Sequence, residues 1–168
     1  MITLGGKIYN MNIFYLSHDP IKAAAYHYNR HVVKMPLEAA QMLCTAHRYY
    51  GNEHVPYKTA HLNHPSTIWV RSDALHYYWT YDYMMALGKL YTERYGKFHL
   101  TIEKCHDVLS HLPEEIPDRG KWEDPPQCMP DEFKVKNNSI QAYWNYYINA
   151  KKHIITKTEK AYECIQNI

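Results

Sequence analysis

From Ala25 the chain sets apolar residues three and four apart: Ala25, Tyr28, Val32, Met35, Ala39, Met42 and Ala46. That period marks one face of an α-helix turned towards a core. Asp19-Pro20 opens the run, with Asp suited to the N-cap and Pro to the first helical position. Gly51-Asn52 closes it, so a helix is expected over about 20–50. Pro36 falls inside the stripe and predicts a kink or a break there. A second run, Tyr77, Tyr81, Met84, Gly88, Tyr91 and Tyr95, predicts a helix over about 72–95, capped by Ser72 and ended by Gly96. The glycine in its face admits a close neighbour. A shorter helix is expected at about 101–111. The third long helix starts near Ser139, where Asn138 and Gln141 suit a capping box. Ile140, Trp144, Tyr147, Ile154, Ala161 and Ile165 carry its apolar seam.

Other stretches lack that period. "KIYNMNIFYLS" is rich in β-branched and aromatic residues, so residues 1–17 read as an extended lead-in, with Met11 a candidate second start. Residues 51–71, with Pro56 and Pro65, read as loop. Residues 113–132 hold five of the nine prolines, and seven Asp or Glu against Arg119 and Lys121. Too little chain follows for a second core, so this is a loop held by packing or a flexible linker, not a domain boundary. The expected fold is all-α: one compact helical bundle over 1–168, with an extended N-terminal segment and a Pro-rich acidic loop.

Composition narrows the function classes. A chain of 168 residues fits one domain. A formal charge of +2 argues by itself for neither a nucleic-acid binder nor an acidic tail. No signal peptide opens the sequence, and no apolar run nears the roughly 20 residues of a membrane span. Cys44, Cys105, Cys128 and Cys164 form no CxxC pair, which argues against a zinc ribbon or a thioredoxin motif. Free thiols in a reducing cytoplasm are expected, and the sequon at Asn137-Asn138-Ser139 is read as chance. The outliers are 17 Tyr and 12 His, rings that pack, hydrogen-bond and stack.

Candidate chemistry lies opposite the first apolar stripe: His27, Arg30, His31, Lys34, Glu38, Gln41, Thr45 and Arg48. Such a stripe is either a solvated face with ordinary ion pairs or the wall of a site. In the second case His31, Lys34 and Glu38 are the catalytic candidates, a base, an amine and a carboxylate one above another. His27 and His31 have the spacing of two metal ligands on a helix, with Glu38, His61 and His64 as further donors. HExxH is absent, and neither metal nor cofactor is expected. Aromatics mixed with bases recur in "RYY" (48–50), "HYYWTYDY" (76–83), "ERYGKFH" (93–99) and "AYWNYY" (142–147). Aromatic faces stack bases while Lys and Arg hold phosphates, and Tyr49 and Tyr146 are candidates for that role. "LNHPSTIWVRSD" (62–73) is either a turn that packs a Trp or an anion pocket made by His64, Ser66 and Arg71. The site reading has Arg30, His31, Lys34, His64 and Arg71 converge on one concave surface.

The blocks "FYLSHDPIKAAAYHYNRHVVKMPLEAAQMLCTAHR", "NHPSTIWVR", "MPDEFKV" and "AYWNYY" resemble small proteins of tailed bacteriophages. At greater distance the layout is similar to the pyrimidine-dimer DNA glycosylases of the phage endonuclease V type. They share a short N-terminal segment, a long first helix, a second helix and an aromatic C-terminal stretch. The resemblance implies a DNA- or nucleotide-binding protein of the host-cell cytoplasm, with base excision as its reaction and a phosphate role for Arg30. That family attacks with a free N-terminal amine beside a helical glutamate. Here Met1 lies well upstream, no Thr stands at the corresponding place, and the glutamate's position falls near His31. Lys34 is the expected replacement amine, with Glu38 or His31 moving protons. The alternatives are a non-catalytic nucleotide-binding or host-inhibiting protein and, third, a metal-dependent phosphohydrolase.

Overall fold

The computed structural model describes residues 11–150 in full and, before them, two short strands. These are β1 (Thr3–Leu4) and β2 (Lys7–Ile8), paired antiparallel with Thr3 opposite Ile8. Six helices follow: α1 (Pro20–Ala25), α2 (Asn29–Tyr49), α3 (Pro65–Ser72), α4 (Ala74–Tyr95), α5 (Leu100–Cys105) and α6 (Ser139–Ala150). The fold is all-α, as the periodicities predict. No described helix is long and apolar enough to cross a membrane. The expected far end of the last helix, over 151–165, and Cys164 lie outside the described residues.

The helix expected over 20–50 is two helices, and its break is not at Pro36. Asp19 caps α1, its carboxylate accepting the N–H groups of Ile21 at 2.9 Å and Lys22 at 3.3 Å, with Pro20 in the first turn. The chain then turns extended at Tyr28 (φ −63°, ψ 153°). Tyr28 donates its N–H to the Tyr147 hydroxyl at 2.8 Å, so a side chain from α6 replaces a helical carbonyl at the break. α2 runs unbroken through buried Pro36, which removes one rung of the ladder while the packing of both flanks holds the helix. Gly51 (φ +90°) ends it: Asn52 N–H reaches back to His47 O at 2.9 Å, a C-terminal closure that needs the left-handed residue.

The stretch 51–71 was expected to be loop and contains α3. His64 caps it by accepting the Ser66 N–H at Nδ1 (3.1 Å), and Pro65 follows in the first turn. Eight residues are too few for a helical period to show. α4 is capped by Asp73 rather than Ser72: Asp73 Oδ1 accepts the Leu75 N–H at 3.0 Å, while the Ser72 hydroxyl donates to Trp69 O at 2.7 Å inside α3. Gly96 (φ +67°) ends α4 as predicted. The close neighbour at Gly88 is Ile102 of α5.

α4 packs along α1 and α2, α3 lies across α2 and α4, and α5 joins α2 and α4. The Pro-rich acidic stretch is the packed loop, not the flexible linker. Trp69 Nε1–H donates to Glu123 O at 2.8 Å, Ser139 Oγ–H to Pro125 O at 2.8 Å, and Tyr143 O–H to Pro126 O at 2.6 Å. At α6, Asn138 Oδ1 accepts the Gln141 N–H at 3.0 Å. The return half of the expected capping box is replaced: the Asn138 N–H donates to Val135 O at 3.2 Å, and the Gln141 side chain turns to Asn145, its Nε2 donating to Oδ1 at 2.9 Å.

The described part of the lead-in from Met11 is non-helical, yet Met11–Leu16 are all buried. A buried strand outside any sheet must find partners for its backbone. Trp79 Nε1–H donates to His18 O at 2.7 Å, and Trp144 Nε1–H to Leu16 O at 2.9 Å. Asn12 Oδ1 accepts the N–H groups of Ile13 (2.9 Å) and Phe14 (3.1 Å), and its Nδ2 donates to Cys128 O at 3.1 Å. The segment threads between α4, α6 and the acidic loop, and brings Phe14 to the head of α2.

Candidate functional site

The densest set of chemistry-bearing side chains lies at the head of α2. His27 is buried in the α1–α2 break. Its Nδ1 is 2.7 Å from Ala23 O, and a carbonyl only accepts, so Nδ1 carries the proton. Its Nε2 lies 2.6 Å from the Tyr83 hydroxyl and accepts from it. Burial pushes the His27 pKa down to about 3, which keeps the ring neutral and fixes this tautomer. His31 stands one turn on, its Nδ1 2.8 Å from the Tyr147 hydroxyl, the same hydroxyl that takes the Tyr28 N–H. Phe14 stacks on the His31 ring with centroids 4.6 Å apart. It holds φ +48°, a left-handed conformation that a large non-glycine residue rarely adopts. Local strain of this kind persists where the surroundings over-determine it, here the Asn12 clamp on one side and His31 and Tyr147 on the other.

Above this network α2 presents charge. Arg30 and Lys34 are exposed. Lys34 Nζ is 3.7 Å from Oε1 of Glu38, whose carboxylate is nearly covered while the lysine side chain is 66% exposed. Arg94, near the end of α4, lays its guanidinium across the α1–α2 junction, donating to Asn29 Oδ1 at 2.8 Å and to His27 O at 3.2 Å. Both acceptors are neutral, so the guanidinium is positioned without its charge being cancelled. The positive end of the α2 dipole adds to the same field.

Of the sequence-expected residues, Arg30, His31, Lys34 and Glu38 therefore stand together. Tyr146 is near them but buried, packed between Phe14 and Phe133 at centroid distances of 6.3 and 5.5 Å. It fills space and presents no face for stacking.

The other four lie elsewhere, which corrects the expectation of one shared surface. The Arg71 guanidinium sits 4.3 Å above the ring of Tyr49, the last residue of α2, about 22 Å along the helix from Lys34. Arg71 is buried and donates to Leu62 O at 2.7 Å. Ser66 is fully buried against Cys128 Sγ at 3.4 Å. His64 has its Nδ1 committed to the helix cap. The 62–73 stretch is thus the packing corner that welds α3 to the far end of α2, and of these four only Tyr49 keeps an exposed ring.

Two further constellations resolve into structure. His27 and His31 have ring centroids 6.2 Å apart, but both His27 nitrogens are taken, and among the described residues no three His, Cys, Asp or Glu side chains gather as a metal site. A recess of about 530 Å³ at the far end of α2 is lined by His47, Asn52 and His111. His47 Nε2 donates to His111 O (3.0 Å), and its Nδ1 accepts from Asn52 Nδ2 (3.1 Å), so that imidazole too is a brace.

Sequence reasoning missed Phe14, Tyr83, Tyr147 and Arg94 as members of the site. Phe14 and Arg94 carried no periodic signal tying them to α2. Tyr83 was visible only as a member of an aromatic cluster, and Tyr147 as part of such a cluster and of the apolar seam of the last helix. No protein-family model, curated protein or solved structure matches the chain.

Proposed function

We propose that the protein binds DNA or a nucleotide at the head of α2, with Arg30 and Arg94 meeting phosphate. The observation that carries this reading is Arg94, fixed by two neutral oxygens with its charge intact beside exposed Arg30 and Lys34. Cations on a rigid helix end suit a phosphate better than a mobile surface patch does, because less ordering remains to be done on binding.

Base excision is the reaction this site would run, with Glu38 close enough to the Lys34 amine to move its proton although the ion pair holds the amine charged at rest. In that reaction Glu38 takes a proton from the Lys34 ammonium, and the lone pair this frees on Nζ attacks C1′ of the nucleotide. The C1′–N bond breaks, and its electrons leave with the base, which takes a proton from Glu38 or His31. Nζ then loses its proton, the sugar ring opens and a C1′=Nζ imine forms. A non-catalytic nucleotide trap is the competing reading, favoured by a closed network in which both His27 nitrogens are hydrogen-bonded.

Binding of labelled duplex and single-stranded DNA, followed against salt, tests the first part. Arg30→Ala and Arg94→Ala are each expected to weaken binding and reduce the salt slope by about 1. Borohydride with abasic-site DNA tests the second: a cross-link present in the wild type and in Lys58→Ala, but absent in Lys34→Ala, supports excision. Salt-insensitive mononucleotide binding without a cross-link would support the trap, and binding of neither ligand would defeat the proposal.

A further inference from the structure

The turn joining α4 to α5 carries the residue the function above leaves unused. Phe98 is 71% exposed, more than any other large apolar side chain among the described residues. An exposed Phe on a mobile loop would be unremarkable, but this turn is held on both sides. Gly96, in the left-handed region, closes α4 with its N–H on Thr92 O at 2.8 Å. His99 Nε2 donates to Val33 O of α2 at 2.8 Å, while His99 Nδ1 accepts the Thr101 N–H at 3.2 Å and caps α5. The Tyr91 ring backs the turn, edge-on to His99 at 4.8 Å. The phenyl ring is therefore displayed by a braced turn, next to the first turns of α2.

The charges around that ring identify what it meets. Lys97 precedes it and is exposed, Arg94 lies one turn back on the α2 junction, and Arg30 and Lys34 flank Val33, to which the turn is bonded. Asp82 and Glu93 on α4 and Glu103 on α5 are the exposed acids of the two adjoining helices, and Asp82 lies more than three turns back from Phe98. A protein partner with an apolar face gains nothing from this excess of cations. A nucleic acid offers a flat π-face and a phosphate within one nucleotide of each other.

We infer that Phe98 is a base-stacking wedge, inserting against an unstacked nucleobase while Lys97 and Arg94 hold the adjacent phosphates. This rests on the nucleic-acid reading above and assigns the chemistry of contact: the ring reads an exposed base face, the cations read the backbone. An exposed ring stacks at least cost where a base has already lost its neighbour, in a single strand or at a mismatch, because little unstacking energy is then required.

The test measures binding of a single-stranded oligonucleotide, a mismatched duplex and a fully paired duplex to the full chain. Phe98→Ala is expected to lose about 5- to 150-fold for the first two, with an unchanged salt slope. Phe98→Trp should retain or exceed wild-type affinity, since a larger π-face stacks at least as well. Lys97→Ala should reduce the salt slope and leave the preference for unstacked bases intact. Thermal unfolding should not distinguish Phe98→Ala from the wild type, because the ring it removes is solvent-facing. Wild-type affinity in Phe98→Ala, or equal losses on paired and unpaired DNA, would overturn the wedge while leaving DNA binding standing. A wild type that binds none of the three would defeat the functional reading itself.

Discussion

The Nε2 atom of His27 lies 2.6 Å from the hydroxyl of Tyr83, joining the α1–α2 break to the middle of α4 through a buried hydrogen bond. Both groups are buried, so removing one partner strands the other. Tyr83→Phe keeps the ring and deletes only the donor, leaving Nε2 with a desolvated lone pair. The expected cost is about 1–3 kcal/mol. Urea unfolding of Tyr83→Phe, His27→Phe and the double variant measures it. The double variant should lose less than the sum of the singles, because neither leaves the other unpaired.

The same imidazole sets a pH dependence. Its pKa is about 3 in the folded chain and 6.5 in the reference state. Between those values the unfolded chain binds a proton that the folded chain refuses. Stability is therefore full above about pH 6.5 and falls as pH drops towards 3, by up to ~1.4 kcal/mol per unit from this residue. His47, His64 and His76 are also lowered by burial and act in the same direction. His27→Gln should flatten the slope measured by denaturation between pH 4 and 6. An unchanged slope would mean that His27 titrates freely.

Gly88 yields a sharper packing test. A Cβ built there meets Ile102 Cγ1 at 2.5 Å and Cδ1 at 2.8 Å, too close to keep without moving α5 or the Ile side chain. Gly88→Ala should destabilise by about 1–3 kcal/mol. With Ile102→Ala in the background the obstruction is gone, and the helix preference of Ala over Gly, up to ~1 kcal/mol, should make the same substitution stabilising. The reversal of sign is the diagnostic, read from unfolding midpoints of the four proteins.

These residues also show which parts of the structure were legible in sequence. Asp19-Pro20, Gly51 and Gly96 act locally, through caps and a left-handed backbone, and the helix ends they predict are found. The glycine at 88 sits in an apolar face, so the close approach was readable although its partner was not. The break at Tyr28 was unreadable because its cause is Tyr147, which is remote in sequence and supplies an acceptor that no local pattern contains. The burial of Met11–Leu16 depends likewise on indole donors from α4 and α6. On the site, the vertical grouping of Arg30, His31, Lys34 and Glu38 follows from helical spacing alone. Of the four misplaced members, Tyr49 was assigned by its aromatic cluster and three by polarity: Arg71, Ser66 and His64 are polar because a buried corner has carbonyls, a thiol and a helix end to satisfy.

Arg71 supports the last prediction, since its two readings make opposite forecasts. As a ligand-binding residue it would weaken DNA or nucleotide binding when removed and leave stability alone. Placed over Tyr49 and bonded to Leu62 O, it should do the reverse. Arg71→Ala deletes a guanidinium–ring contact of about 0.5–2 kcal/mol, strands a carbonyl, and uncovers the apolar surface beneath the arginine stem. A total loss of about 1–3 kcal/mol is expected. Arg71→Lys should recover little of it, because an ammonium does not lie flat on a ring and cannot reproduce the planar fork. Arg30→Ala, on the exposed first turn of α2, should show the complementary pattern, with a normal unfolding midpoint and a reduced salt slope in DNA binding. Denaturation and salt-titrated binding on these three variants separate the two ends of α2. Arg71→Ala with native stability and a reduced salt slope would return the far corner to the site.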